Sequence, residues 1–592
     1  MKKLKYRILF PCLILVAVMG AACKKFLDKG PVGTLSPEVM ATEKGVQGLL
    51  IGAYSMVDGE GAAGDGFASG ASNWILGGVT SDDAYKGSDP TDVGEAAPME
   101  EWVTLTSTNS AILQKWIACY AGVVRSNDVL NTLAIATGVS DEKAKLIVGQ
   151  VKFLRAFYHF ELKKIFNKIP YIDESIGLSN TTITNTVDVW PNIEADLTAA
   201  IADLPDSWPG EPGRANVWAA KALLAKVYMF QKKFTAAYPI LQDVIANGKT
   251  AGGQKYGLND HYFSNFNPAQ KNSKESVFAA QTSVQDNSSV DWGGDPNGNY
   301  GDILNFPYTG GPGACCGFYN PSQDFANAFK TDPATGLPLL DTYFQGNNVS
   351  DEGGANYTGT LDPRIDWTMG RPGIPYLDWG LHPGTTWIRN PTNDGNKSPL
   401  KNVYAAAQKD AYTDVGSAYW GPTELVANNV NIIRFSDVLL WAAECAAEAN
   451  DLPKAMGYVN QVRSRMVNNP NAWVKTGDYD ADNAIYTTGA NAANYKIGLY
   501  TSFPDKDFAV KAIRFERRLE LGMEGQRFFD LVRWGTAAST VNTFIAREKA
   551  KRPLKQNANF TAGKNEYMPI PQSEIDKMNS DGTVRLEQNP GY

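Results

Sequence analysis

The feature that most constrains this chain is a helical pattern that occurs twice with the same spacing. Leu224, Ala225, Tyr228, Ala237, Leu241 and Val244 fall at offsets 0, 1, 4, 13, 17 and 20, and Ala442, Ala443, Ala446, Ala455, Val459 and Val462 repeat those offsets. In each set the first three residues share one helical face and the last three share a face of the next helix. Each set therefore describes two amphipathic helices joined by a short turn. The small residues let the two backbones approach, and the larger ones fill the groove between them. Such a unit cannot bury its apolar face alone, so the repetition predicts a scaffold of stacked hairpins.

The spacing resembles the tetratricopeptide helix hairpin. Periodicity predicts further helices at about 36–57, 110–136, 141–166, 188–204, 215–231, 233–247, 431–449, 451–467 and 505–534. In the third of these, Phe153, Leu154, Phe157, Phe160 and Leu162 mark one buried face. Residues 58–109 and 250–430 read differently: they are rich in Gly, Pro, Asn and aromatics and lack long periodic runs. Irregular chain of that length inside a folded protein is where function concentrates. The expected fold is mainly α, a tetratricopeptide-like hairpin scaffold with a large irregular, loop-rich region on one face. Scaffold helices are expected at about 37–57, 110–249 and 431–540, all within a single domain over 37–592.

The first residues read as an address. Lys2, Lys3, Lys5 and Arg7 precede an apolar stretch, Ile8 to Met19, which at about 12 residues is too short to cross a bilayer. Gly20-Ala21-Ala22 and then Cys23 follow. Residues 1–22 are expected to be a lipoprotein signal, Cys23 the lipidated first residue of the mature chain, and 23–36 a lipid-anchored tether. Losing the four cations of the signal and no anions moves the net charge from −8 to −12. That balance excludes a nucleic-acid binder built on a basic face. The remaining cysteines, Cys119, Cys315, Cys316 and Cys445, are too sparse for a disulfide-built fold, and no CxxC occurs.

Catalytic signatures are missing. Gly248-Lys249-Thr250 resembles the end of a phosphate loop, but Asp243 stands where a glycine is required. There is no G-x-S-x-G and no H-E-x-x-H. The three histidines, His159, His261 and His382, lie in distant segments, and His159 reads as structural. Two loops beginning at Asp295 and Asp478 have calcium-loop openings but lack the Gly at the sixth position and the Glu at the twelfth. No cofactor and no metal site is expected, with an irregular calcium site in the loops left open. Asp82, Asp83, Glu100 and Glu101 are the nearest candidates for a glycosidase pair and read better as loop charges. On the late charged helix, Glu524 with Arg527 and Asp530 with Arg533 are spaced to pair within a salt-bridge network.

Taken in order, many short segments resemble the SusD/RagB family of Bacteroidota outer-membrane lipoproteins. They are Cys23-Lys24-Lys25-Phe26-Leu27-Asp28, Phe153-Leu154-Arg155-Ala156-Phe157-Tyr158, Gly213-Arg214-Ala215 and Asp362-Pro363-Arg364, then Ile433-Arg434-Phe435-Ser436-Asp437-Val438-Leu439-Leu440. Later come Glu516-Arg517-Arg518, Glu524-Gly525-Gln526-Arg527, Arg533-Trp534-Gly535, Pro569-Ile570-Pro571 and the terminal Gln588-Asn589-Pro590-Gly591-Tyr592. The resemblance implies four tetratricopeptide-like hairpins with irregular loops on top. It also implies a non-enzymatic surface lipoprotein that captures a glycan and caps a SusC-like TonB-dependent transporter as its lid. A peptide-binding member of the same family is the first alternative, and a surface glycoside hydrolase the second.

A sugar presents an apolar C–H face and a polar rim, which match an exposed aromatic ring beside polar side chains. Trp or Tyr in Gly-rich loops are therefore the expected ligand contacts. The candidates are Trp74, Asp82, Asp83, Tyr85 and Trp102; Trp292, Asp295, Tyr300, Tyr319 and Asn320; and Trp379 and Trp387, near Arg371 and Arg389. Trp116, Trp190, Trp218, Trp441 and Trp534 lie on helical patterns and are expected in the core.

Overall fold

The structure, a computed structural model, describes residues 37–59, 66–177, 180, 182–288, 296–313, 315–414 and 425–592. The expected signal, Cys23 and the expected tether lie outside the described residues. Among the described residues, no helix is long and apolar enough to cross a membrane.

The scaffold runs through α1 (Glu43–Tyr54), α2 (Ser110–Ile135), α3 (Asp141–Phe166), α4 (Trp190–Asp203), α5 (Val217–Phe230) and α6 (Phe234–Asn247). After the loop region it resumes with α7 (Phe435–Glu448), α8 (Leu452–Asn468) and α9 (Lys506–Leu521). Each helix packs on its sequence neighbour, and α6 packs on α7 across the insertion, so the stack is continuous. Side chains close several N-termini: Asn216 accepts from the Ala219 N–H at 2.9 Å and Asp505 from the Phe508 N–H at 2.8 Å. Both repeated sets are buried as expected, except Tyr228, which is half-buried. Gly122 lets α2 lie against α3, because a Cβ there would stand 2.6 Å from the Tyr158 ring.

Two expectations change. Residues 431–434, read as the start of a helix, belong instead to a strand. β1 (Ser276–Ala280) pairs antiparallel with β2 (Val430–Arg434), Ser276 opposite Arg434 and Ala280 opposite Val430, with irregular register between. This pair joins the point where the chain leaves the scaffold to the point where it returns. The helix expected at 505–534 is broken: α9 ends at Leu521, and α10 (Arg527–Trp534) begins after a turn. Met523 and Gly525 take φ of +64° and +65° there, and Gly525 has no side chain to collide with the Ser72 carbonyl. Helix α11 (Ala537–Glu548) follows.

The loop region carries its own core. Tyr262, Phe306, Phe318, Phe325, Trp367 and Tyr376 are all at most 1% exposed. An ion network under it fixes it to the scaffold. Arg364 bonds Asp362 at 2.8 Å, Glu516 at 2.6 Å and Glu520 at 3.0 Å. Arg434 bonds Glu275 at 2.7 Å, Glu520 at 3.1 Å and Glu524 at 2.8 Å. Arg463 joins Glu516 at 2.7 Å, Arg465 joins Glu275 at 2.9 Å and also Glu520, and Lys401 joins Glu524 at 2.6 Å. Every member is buried except Glu524, which is half-buried, and the charges share partners, which is what makes charge tolerable out of water. Burial alone would raise the Glu524 carboxyl; Arg434 and Lys401 outweigh it and hold it below the usual range. The expected Asp530–Arg533 pair forms at 2.7 Å, but Glu524 and Arg527 take other partners.

Candidate functional site

Most of the ligand candidates lie in the core of the loop region. Trp74 is 1% exposed; its indole N–H donates to the Gly301 carbonyl at 3.0 Å, and its ring lies 5.9 Å from those of Phe318 and Tyr319. Trp102 is enclosed by Phe528 and Phe560, at 5.2 and 4.8 Å between ring centroids. Tyr85 donates to Glu548 at 2.8 Å and accepts from the Gln323 N–H at 3.0 Å. Tyr300 and Tyr319 are buried, and the Asn320 amide donates to the Lys397 carbonyl at 2.7 Å.

Asp82 and Asp83 are ion-pair partners of the late helices. Arg527 and Arg518 reach Asp82 at 2.8 and 3.0 Å, and Arg518 reaches Asp83 at 2.9 Å. Burial pushes the Asp83 carboxyl up to about 6 against the pull of Arg518. Glu100 is equally committed, to Lys555 at 2.9 Å and to the Lys86 N–H at 2.8 Å. None of these groups faces solvent. Their aromatic and polar character belongs to packing, which the loop composition alone did not separate from binding. Trp292 and Asp295 lie outside the described residues.

Trp379 and Trp387 are placed differently. Trp387 is 5% exposed, yet it forms the floor of a surface loop: Gly310 and Gly311 lie so close over its indole that a Cβ on either would stand 2.9–3.0 Å from it. It packs edge-on against Tyr376 and His382 at 5.4 and 5.0 Å. His382 accepts from the Gly384 N–H at 3.0 Å and meets the Ser398 hydroxyl at 2.9 Å; burial, with Lys397 nearby, lowers its pKa to about 3. Trp379 is half-buried and donates to the Tyr404 carbonyl at 2.9 Å. The Tyr404 hydroxyl in turn accepts from the Gly313 N–H at 3.3 Å, which ties the two loops together. Arg371 is not part of this surface; it is buried on Asp366 at 2.6 Å. Cys315 and Cys316 are joined by a disulfide in the same loop.

Above this floor stands Tyr308, which sequence reading missed. Among the described residues, Tyr308 and Phe344 are the aromatic side chains that count as exposed, at 37% and 38%. The Tyr308 N–H donates to the Trp387 carbonyl at 2.8 Å, fixing its backbone to the floor. The Arg389 guanidinium lies 5.2 Å from the Tyr308 ring centroid. Arg389 is itself held by Asp89 at 3.0 Å, by Asp92, and by the Ser88 hydroxyl at 3.0 Å. Leu381 is 61% exposed on the adjoining loop. The result is a braced aromatic ring on a Gly-rich loop, with the carboxylates of Asp89 and Asp92 on the guanidinium that braces it. Phe344 lacks a hydroxyl, and Arg547 lies 3.9 Å from its ring centroid. The signal for Tyr308 was present in Pro307-Tyr308-Thr309-Gly310-Gly311-Pro312-Gly313, a Tyr in a Gly-rich turn of the loop.

Among the described residues, two sizeable cavities lie elsewhere, and no exposed ring lines them. One of about 590 Å³ is bordered by Met40, Leu49, Asp128, Ile135 and Glu174, and one of about 520 Å³ by Ile51, Tyr54, Arg214, Phe278 and Gln281. Among the described residues, no three His, Cys, Asp or Glu side chains cluster to hold a metal ion.

Comparison with known proteins identifies the fold and the family. Residues 274–592 match the SusD family, and residues 25–229 match a family described as starch-binding, associating with the outer membrane. A SusD-like protein of Formosa agariphila is 24% identical over 550 residues, covering 88% of each chain. A laminarin-binding SusD-like protein superposes with a TM-score of 0.64 at 22% identity, over 93% of this chain and all of that one. The surface glycan-binding protein A of Bacteroides thetaiotaomicron, in complex with laminarihexaose, superposes with a TM-score of 0.61 at 21% identity, over 93% and 99% of the two chains. With more than half of its length matched, this chain belongs to the SusD family.

Proposed function

We propose that this chain is a non-catalytic, cell-surface lipoprotein that binds oligosaccharide or polysaccharide. In this reading a lipid on Cys23 holds it to the outer membrane. It delivers the glycan to a SusC-like TonB-dependent transporter and acts as its lid. The observation that carries the reading is Tyr308, an exposed ring braced by Arg389 above the Trp387 floor. Sugar C–H faces stack on such rings, and the hydroxyls find acceptors in the carboxylates of the rim. The matched starch-binding description and the laminarin-binding relatives support a glycan as the ligand class. The burial of Asp82, Asp83 and Glu100 in ion pairs supports binding without cleavage, because none is free to act as acid or base.

The test is calorimetric titration of the soluble form, starting at Lys24, against laminarin, starch and other polysaccharides, with product analysis of the same samples. Saturable binding without products is expected. Tyr308→Ala should weaken it about fivefold or more, the worth of one stacked ring at about 1 kcal/mol. Binding of peptides and no glycan would overturn the reading in favour of a peptide-binding member. Cleavage products would overturn it in favour of a hydrolase.

A further inference from the structure

We infer that the Cys315–Cys316 disulfide sets the position of Tyr308, and that its reduction by a small thiol lowers glycan affinity. The inference rests on the reading of the Tyr308 face as the glycan site.

The disulfide lies one residue ahead of the contacts that hold this face together. The chain turns back on itself here: the Gly317 N–H donates to the Phe306 carbonyl at 2.9 Å, and the Phe318 N–H to the Leu304 carbonyl at 3.2 Å. Tyr308 continues the outgoing arm, and Cys316 leads into the returning one. Gly317 packs directly against Tyr308 and Arg389: a Cβ on it would stand 3.1 Å from the Tyr308 Cβ and 3.7 Å from the Arg389 Cβ. The Gly317 carbonyl accepts from the Ser88 N–H at 2.8 Å, and the Ser88 hydroxyl accepts from Arg389 at 3.0 Å. On the other side of the disulfide, a Cβ on Gly313 would stand 3.3 Å from the Cys315 carbonyl, and the Gly313 N–H donates to the Tyr404 hydroxyl at 3.3 Å. Ring, guanidinium and Ser88 therefore meet on the residue next to the disulfide.

The bond closes a small ring through the peptide link between the two cysteines and removes rotations that free side chains would have. Cys315 is half-buried and Cys316 is 3% exposed, so an incoming thiol meets Cys315 first. Its thiolate attacks the Cys315 sulfur, the S–S bond breaks, and Cys316 leaves as a thiolate that takes up a proton. A second thiol resolves the mixed disulfide. Two electrons and two protons pass to the cysteines, and the two external thiols are oxidised to one disulfide. Cys119 and Cys445 do not compete: both are buried, and burial pushes both thiols up, Cys119 to about 11. After reduction the ligand has to order the freed turn, and ordering one residue lowers affinity about fivefold or more.

The soluble form, starting at Lys24, is titrated with laminarin and starch before and after treatment with dithiothreitol. Alkylation of the folded protein, read by mass spectrometry, counts the thiols at Cys315 and Cys316. The reduced protein should bind at least fivefold more weakly, and reoxidation should restore the affinity. The Cys315→Ser, Cys316→Ser double variant should bind like the reduced protein and ignore the reductant. Reduction should move Tm by about 1 °C at most, because the closed loop is so short. In the Tyr308→Ala protein, reduction should change affinity less than twofold, which separates positioning of the ring from a general loosening of the fold. Reduced protein that binds within twofold of the untreated form would overturn the inference while leaving glycan binding intact. So would an equal loss in the Tyr308→Ala protein, or free thiols at both positions before treatment. Binding of neither polysaccharide by the untreated protein would overturn the glycan reading itself, and the inference with it.

Discussion

Replacing Glu520 by Gln removes one negative charge from the centre of the network that seats the loop region, at nearly constant volume. Glu520 bonds Arg364 at 3.0 Å, Arg434 at 3.1 Å, and Arg465, and is itself fully buried. The carboxylate is held well below its ordinary pKa: burial opposes the charge, and the three arginines overcome that opposition. The amide leaves one guanidinium charge uncompensated in a dry interior and turns an N–H₂ toward groups that only donate. Breaking one side of a buried pair costs about 3–5 kcal/mol. With an unfolding entropy near 2.1 cal/mol/K per residue, roughly 550 folded residues give about 1.2 kcal/mol/K, so Tm should fall by about 3–4 °C. Differential scanning calorimetry at pH 7 reads this directly. Glu211→Gln is the control, because the Glu211–Arg214 pair has its carboxylate 52% exposed and should move Tm by less than about 0.5 °C. A Glu520→Gln protein as stable as the parent would refute the claim that this network fastens the loops to the scaffold.

Other outcomes follow from the same structure. Trp102→Ala should cost about 3–5 kcal/mol of stability, seen in chemical unfolding, because the ring is enclosed by Phe528 and Phe560 rather than offered to ligand. Phe344→Ala should leave glycan affinity unchanged in the titration that detects Tyr308→Ala, since it removes the other exposed ring among the described residues. Burial lowers His159 to about 4 and His382 to about 3, so the unfolded chain binds these protons first as pH falls. Their stabilising effect is complete above an unfolded pKa near 6.5 and is lost toward pH 4, so the urea midpoint should decline across that window. Gly525→Ala should lower Tm measurably, because φ is +65° and the new Cβ would collide with the Ser72 carbonyl.

The scaffold was legible because helical periodicity is local. Leu224 to Val244 and Ala442 to Val462 state their own burial through spacing, and the structure pairs them as expected. Trp116, Trp218 and Trp441 were readable as core for the same reason, while Trp190 and Trp534 came out half-buried. The family, too, was readable, since its short segments recur in order along the chain. The break after Leu521 was only half legible: the glycines at 522 and 525 were visible, but the Ser72 carbonyl that makes Gly525 necessary comes from the other end of the sequence.

The loop region is where composition stopped being informative. A Trp in a Gly-rich stretch reads the same whether it faces water or core, and what separates the two is contact with distant chain. The Trp74 indole is satisfied by Gly301, 227 residues away, and Asp82 by Arg527, 445 residues away. Sequence by itself determined the hairpin scaffold, the family and the class of side chains a glycan face would need. The tertiary structure alone decided which aromatic ring is left in solvent. Among the described residues it left Tyr308 and Phe344 in solvent, with Arg389 and the Trp387 floor bracing Tyr308 from segments about 80 residues later, while the core took Trp74, Tyr85, Trp102, Tyr300 and Tyr319.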